Sequence, residues 1–361
     1  MAKPLSDELA ATPDNIDAAL SQLNADARVA LLRKENKRLR EKLRERDAGL
    51  DIAIAAFQEA YSESLEITVI KPPKDKRRLT EEEALVHYTD IHFGKETKTY
   101  NSEVAAERLL VSLEAIAEIV RLRRTFAKID TLNLLIGGDC VEGDGNIFPG
   151  QAHEIDQDFV EQAIKFGPER MAGAVLFLLT IFPKIRVRGV PGNHGRQGKF
   201  TAKRNNADSI FYEIVRLCVK VANPEAEKRI EWDLPLDRTP GDEWYSSFMI
   251  CDRWGGLLVH GDQIRGMLGF PWYGYGKKVA GWASCLPPFD FVFSGHFHTH
   301  AAFDLHGRHV LSTGSPESDN AYAKENMAAS GTPKQRLCFF NKKYGLISDN
   351  PLHLSDVHPN R

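Results

Sequence analysis

Three histidines stand at every second position of the stretch FSGHFHTH: His296, His298 and His300. A strand repeats every two residues, so a continuing strand projects all three from one face. Imidazoles gathered in that way make either a metal site or the polar edge of a strand. Other parts of the chain bear on the choice. Apolar runs stop at Asp90-Ile91-His92, Gly138-Asp139, Gly192-Asn193-His194, His260-Gly261-Asp262 and Gly295-His296-Phe297-His298. Each supplies an oxygen or imidazole donor where a loop leaves a sheet, which is where open α/β sheets build their sites. Singly, each piece is weak: D-x-H and G-D are common, G-N-H is often a turn, and a lone histidine is more often a core or surface residue. In order on one strand–loop pattern, they converge on two carboxylates, an Asn carbonyl and up to five imidazoles. That mixture suits divalent manganese, iron or zinc rather than a soft thiolate site. It also exceeds what one ion needs, which argues for two.

Strands and helices must alternate to position those loops. EALVHYTDIHFG reads as a strand ending in polar residues, TLNLLIGGDCVEG as a buried strand running into glycines, and IRVRGVPGNHG as another strand and loop. Helical periodicity covers 102–125, most of FVEQAIKFGPERMAGAVLFLLTIF with a break at Gly-Pro, and NADSIFYEIVRLCVKVA. SSFMICDRWGGLLVHGD predicts a hairpin, and FDFVFSGHFH and HVLSTGS predict further strands. Helices come early and strands dominate late, so the expected fold is α/β, a sandwich of central sheets with helices outside.

The first sixty residues differ, being rich in Ala, Leu, Arg and Glu without histidine. VALLRKENKRLREKLRERDAGL carries a short heptad pattern, with Val29, Asn36, Leu43 and Leu50 at one core position and Leu32 and Leu39 at the other. Such a segment serves either self-association and partner binding or packing on its own domain. KPPKDKRR reads as a linker. The expected division is a helical extension over 1–70, a linker over 71–83, an α/β domain over 84–350 and a tail over 351–361.

Of the 361 residues, 42% are hydrophobic and 27% charged, and the formal net charge is -3, so a polycation is excluded and contact with nucleic acid must rest on local basic patches. Five cysteines without C-x-x-C spacing argue against a disulfide framework or thiolate zinc site. The start has no apolar signal core and no stretch reaches 18 apolar residues, so the expectation is a soluble cytoplasmic protein without a membrane partner, in the host cytoplasm were the chain viral.

D-x-H, G-D, G-N-H, H and G-H-x-H in this order resemble the calcineurin-like metallophosphoesterase superfamily over roughly residues 84–345. The resemblance implies a two-sheet α/β sandwich flanked by helices and a dinuclear metal centre, with Mn²⁺ foremost and Fe, Zn or Mg as alternatives. It implies that Asp90, His92 and His298 hold one metal, that Asn193, His260 and His296 hold the other, and that Asp139 bridges them. His194 then sits beside the scissile phosphate. The implied chemistry is in-line attack on phosphorus by a metal-bridging hydroxide, with His194 stabilising the transition state or protonating the leaving oxygen. One departure is visible: Gly195 and Arg196 follow G-N-H, where many members have an acidic residue. What positions His194 is therefore open, with Asp208 or a backbone carbonyl as candidates. Glu142, in the GDCVEG block, stands behind the ligands at most.

The substrate is less legible. GRQGKFTAKRNN follows His194 and contains Arg196, Lys199, Lys203 and Arg204, the local charge a phosphate-tracking surface needs. It also reads as an ordinary solvated loop. FPWYGYGKK (270–278) mixes Tyr273, Tyr275 and lysines, which either stack nucleobases or pack on the domain. TDIHFGK, PGNHGRQGK and GHFHT are similar to phage and prophage members described as DNA-repair-exonuclease-like. That favours a nuclease on DNA or RNA, with Arg196, Lys199, Tyr273 and Tyr275 as candidate substrate contacts. A phosphomonoesterase is the alternative, and a partner-binding scaffold built on the N-terminal helix stands third. His300 receives no ligand role.

Overall fold

The computed structural model describes residues 79–355 except 146, 149, 199–200, 202, 267–270, 321–324 and 326–330, and before residue 79 only positions 34, 37, 69, 71 and 72. The chain divides into two units, Met1–Ala60 and Tyr61–Arg361. In the first, Lys34 and Lys37 are helical; the heptad pattern otherwise lies outside the described residues, as do positions 73–78 of the expected linker. The elements below belong to the second unit. Among the described residues, no helix is long and apolar enough to cross a membrane.

Four parallel strands, β1 (Thr80–Tyr88), β2 (Ala127–Ile136), β3 (Lys184–Gly189) and β4 (Ile230–Asp233), form most of one sheet. Antiparallel β10 (Lys334–Asn341) pairs with β1, and β11 (Gly345–His353) closes that edge, giving the order β11-β10-β1-β2-β3-β4. Parallel neighbours need crossovers. These are α1 (Ser102–Arg123) between β1 and β2, α2 (Phe159–Ala163) and α3 (Phe166–Ile181) between β2 and β3, and α4 (Ala207–Ala222) with the short α5 (Pro224–Glu227) before β4. The second sheet runs β5-β6-β7-β9-β8, from β5 (Tyr245–Ile250), β6 (Trp254–Val259), β7 (Phe291–Ser294), β8 (Ala301–Leu305) and β9 (Arg308–Ser312). Helix α6 (Trp272–Cys285) joins β6 to β7. The architecture is the two-sheet α/β sandwich with flanking helices that the sequence led us to expect.

Period-two alternation explains how the layers close. Leu258 of β6 and Phe291 and Phe293 of β7 share a core with Leu85, Leu135, Val190 and Phe340 of the first sheet. Their neighbours Leu257, Val259 and Val292 face the other way, onto Tyr275, Val279 and Trp282 of α6. The local stop signals are ordinary. Asn101 caps α1 by accepting from the Val104 N–H, and Arg121 and Arg123 sit in its last turn, where positive charge is favoured. The β5–β6 hairpin turns through Cys251 and Asp252, at φ 53° and 51°, the handedness that matches strand twist.

Two readings are corrected. The break expected at Gly-Pro falls earlier, at Ile164–Lys165; Gly167 and Pro168 lie inside the first turn of α3, where proline costs no hydrogen bond. Residues 272–278, to which the sequence assigned no helix, begin α6. Its three glycines lower helix propensity, yet Gly274 is required: a Cβ there would lie 2.2 Å from the Arg265 carbonyl oxygen.

Candidate metal centre

The loops after β1, β2, β3, β6 and β7 carry the candidate donors, and backbone conformation is a first clue to their role. Asp90, His92, Asp139, His296 and His298 all adopt positive φ, between 50° and 70°. Non-glycine residues pay about 1–2 kcal/mol each for this conformation, and such strain gathers at functional sites. The loops also approach closely. A Cβ on Gly192 would lie 2.1 Å from Asp139 Oδ1, so only glycine fits behind that carboxylate.

One group comprises Asp90, His92 and His298. Nε2 of His92 lies 3.3 Å from Nε2 of His298, which is 3.5 Å from Asp90 Oδ1. In the other, His260 Nε2 lies 3.0 Å from Asp139 Oδ2 and 3.1 Å from Asn193 Oδ1, with the His296 ring centroid 5.2 Å from that of His260. Donors bound at 2.0–2.2 Å around a four-coordinate ion stand about 3.3–3.6 Å apart, and around a six-coordinate ion about 3.0 Å. The spacings fit divalent ions. Donor atoms of Asp90, His92 and His298 all lie within 4.8 Å of one another, as do those of Asp139, His260 and His296, and those of His92, Asp139 and His194. Asp139 and His92 each belong to two of these groups, which links the three into one cluster.

The remaining ring nitrogens are held from behind, as metal-ligating imidazoles usually are. His260 Nδ1 lies 2.8 Å from the Gly137 carbonyl oxygen. His92 Nδ1 lies 2.9 Å from Glu142 Oε2, and His298 Nδ1 lies 3.3 Å from Glu317 Oε2. All three rings thus turn Nε2 to the centre. The Asp90 carboxylate accepts from the His296 N–H at 2.9 and 3.0 Å and from the Thr89 hydroxyl at 2.8 Å. Burial opposes its charge, but the contact with His298 prevails and holds Asp90 down at about 2. Burial beside His260 lowers His296 to about 4, leaving it a neutral imidazole able to ligate.

His194 stands apart from these ligands. Its N–H donates to Asp139 Oδ1 at 2.7 Å, and its ring centroid lies 4.5 Å from that of His92. Its Nδ1 lies 3.1 Å from Glu142 Oε2 and 3.2 Å from the Glu142 carbonyl oxygen. Glu142, not the residue after G-N-H, therefore orients this ring. Of the two candidates for that role, a backbone carbonyl is present and Asp208 is not. Asp208 instead accepts three backbone N–H bonds, from Asp139 at 2.9 Å, Cys140 at 3.0 Å and Gly192 at 2.7 Å. It sits in the first turn of α4, whose cap Asn206 donates to the Gly192 carbonyl at 2.9 Å. That helix end staples the loops after β2 and β3. Asp208→Ala leaves three buried donors bare, at about 1–3 kcal/mol each. The expected result is a marked fall in thermal midpoint together with lost metal binding, read by calorimetry and metal analysis. Asp208→Asn, which keeps an acceptor oxygen, should fall between.

The candidate substrate contacts fare differently. Arg196 is exposed, and its Nε donates to the Asn193 carbonyl at 2.9 Å, so it borders the centre. Lys199 lies outside the described residues. Tyr273 is 70% exposed on α6. Tyr275 is corrected: it is 0% exposed, its hydroxyl lies 2.6 Å from Ser294 Oγ, and its ring packs on Phe297 and Phe303, so it belongs to the core and cannot meet substrate. Lys203 pairs with Asp262 at 3.3 Å, and Arg204 donates to the Leu236 and Arg238 carbonyls, so part of the basic segment ties down its own loops.

The three histidines separate as well. Strand β7 ends at Ser294, and beyond it period two no longer applies. His296 joins the Asp139 group and His298 the Asp90 group. His300 lies 4.0 Å from Asp349 Oδ2 of β11, and burial near Arg336 lowers it to about 4.

No family model and no curated protein sequence matches the chain. Among solved structures, it is similar to an archaeal phosphodiesterase, at 11% identity and a TM-score of 0.34, covering 74% of this chain and 99% of that one. It is also similar to a predicted phosphoesterase from Streptococcus pneumoniae TIGR4, at 11% identity and a TM-score of 0.30, covering 75% and 98%. A zinc complex of Vps29 from Entamoeba histolytica gives 11% identity and a TM-score of 0.32, covering 75% and 99%. Likenesses at this level transfer no activity from one protein to another.

Proposed function

We propose that the chain is a dinuclear metal-dependent phosphoesterase of the calcineurin-like kind that hydrolyses phosphodiesters, with DNA or RNA as substrate. The observation that carries this is the gathering of an Asp90, His92 and His298 group and an Asp139, His260 and His296 group, linked by the closeness of His92 to Asp139, with His194 held beside them by Glu142. Asp90, His92 and His298 would hold one dication, Asn193, His260 and His296 the other, and Asp139 would be shared. Manganese is the first candidate, and nitrogen and oxygen donors also admit iron, zinc or magnesium. Bound dications acidify water and neutralise phosphoryl oxygens.

The protein's own part is to place and hold a proton. Glu142 takes the Nδ1 side of His194 and leaves Nε2 for the substrate. Burial lowers the affinity of this ring for its proton, but the Glu142 and Asp139 carboxylates outweigh it and hold His194 up to about 9. Were Asp139 to hold a dication, its carboxylate would be offset and the proton of His194 would be held less tightly, as an acid that donates to a leaving oxygen near neutral pH requires.

The diester preference is supported by the likeness of TDIHFGK, PGNHGRQGK and GHFHT to exonuclease-like members, by exposed Arg196 beside the Asn193 loop, and by exposed Tyr273. The test is a Mn²⁺-supplemented panel of aryl mono- and diesters, cyclic nucleotides, single- and double-stranded DNA, and RNA. The expected result is chelator-sensitive cleavage of nucleic acid, with the aryl diester cleaved faster than the monoester. Preference for the monoester would make the protein a phosphatase.

A further inference from the structure

The Glu142 carboxylate serves two imidazoles with one oxygen. Oε2 lies 2.9 Å from His92 Nδ1 and 3.1 Å from His194 Nδ1. The terminal torsion of a glutamate is broad, so nothing intrinsic keeps the carboxylate in the orientation that reaches both rings. Two buried neighbours do. Gln151, 0% exposed, donates from Nε2 to Glu142 Oε1 at 2.9 Å and to the Glu142 carbonyl oxygen at 2.8 Å. Its Oε1 accepts from the Ile147 N–H at 2.8 Å, which fixes the direction of the amide. The amide thereby ties the Glu142 side chain to its own backbone, and the same Nε2 also lies 3.3 Å from His194 Nδ1, a longer contact with a nitrogen that already faces the Glu142 carboxylate. Lys95, 1% exposed, places Nζ 3.3 Å from Glu142 Oε1 and 2.7 Å from Glu154 Oε2, and 4.8 Å from the Phe148 ring centroid.

We propose that Lys95 and Gln151 are positioning residues that act through Glu142, holding its carboxylate in the orientation in which one oxygen meets both His92 and His194. This rests on the reading of His194 as the group beside the scissile phosphate. Gln151 touches no proposed metal ligand, so its removal should loosen His194 without unloading the centre.

The experiment uses zinc-loaded full-length protein with ¹⁵N-labelled histidine. The His194 imidazole N–H is identified by its absence in His194→Ala. It should persist in the wild type and in Lys95→Arg, and broaden or vanish in Gln151→Leu and Lys95→Met, with metal content unchanged in Gln151→Leu. In parallel, kcat is measured on two aryl esters that differ in leaving-group basicity, from whichever ester class the wild type cleaves. Gln151→Leu should lose about 10- to 100-fold, more on the poorer leaving group, with KM within about twofold. A His194 signal in Gln151→Leu as strong as in the wild type overturns the proposal, whatever the activity. If Lys95→Met does not fold, Gln151→Leu decides. A wild type that cleaves no ester sinks the proposed function, while the imidazole signal still decides the positioning.

Discussion

Asp139→Asn should abolish turnover and strip metal from the protein while the fold survives. Asparagine is the informative replacement because the backbone here stands at φ 50°, a conformation that Asn tolerates and alanine does not. Its amide oxygen can still accept the His194 N–H, now 2.7 Å from Oδ1. What disappears is the negative charge and the second acceptor oxygen, the one 3.0 Å from His260 Nε2. If Asp139 is the ligand common to two ions, both sites lose affinity together and metal analysis falls by more than one equivalent. Thermal denaturation in chelator should differ from the wild type far less than denaturation in Mn²⁺, since ligand binding to the folded state supplies the difference. Retention of two metal equivalents with turnover near wild type would remove Asp139 from the bridging role.

The donors were legible because each sits at the same place in a repeated unit. An apolar strand ends, a glycine or short polar residue turns the chain, and a donor follows; sequence records all three in order. What stands behind the donors was not legible, because distant segments supply it. Glu317 reaches His298 from the loop after β9, and Gln151 reaches Glu142 from a stretch with no periodicity. Only Glu142 left a local trace, in GDCVEG, and its reach to two histidines needs the fold to be seen. Asp208 is a candidate by its charge and nearness in sequence, but its place in the first turn of α4 aims it at backbone N–H groups rather than at an imidazole. Tyr275 misled because aromatic residues mixed with lysines describe a stacking surface and an amphipathic helix equally well. Helical spacing decides the matter: Tyr275, Val279 and Trp282 face the sheet, leaving Tyr273 and Lys277 outside. Strands β4, β8, β10 and β11 escaped because none ends in a functional loop or carries a strong turn signal at both ends.

His194→Ala should do the reverse of Asp139→Asn, keeping the metal and losing rate. The ring has no place among the proposed ligands, and its removal leaves Glu142 partnered by His92, Lys95 and Gln151, so no buried carboxylate is orphaned. Metal content and thermal midpoint are therefore expected to stay near those of the wild type. The rate should fall by about 10²–10⁴-fold, the usual worth of a positioned proton donor, with most of the loss in kcat because the contact matters only as charge builds on the leaving oxygen. The size of the loss should depend on the leaving group. An ester whose alcohol leaves readily needs little proton transfer and should suffer least, while a nucleic-acid strand, whose ribose oxygen is a poor leaving group, should suffer most. A uniform loss across leaving groups would instead assign His194 to holding a non-bridging phosphoryl oxygen. Undiminished activity would place the proton donor elsewhere, with exposed Arg196 beside Asn193 as the next residue to replace.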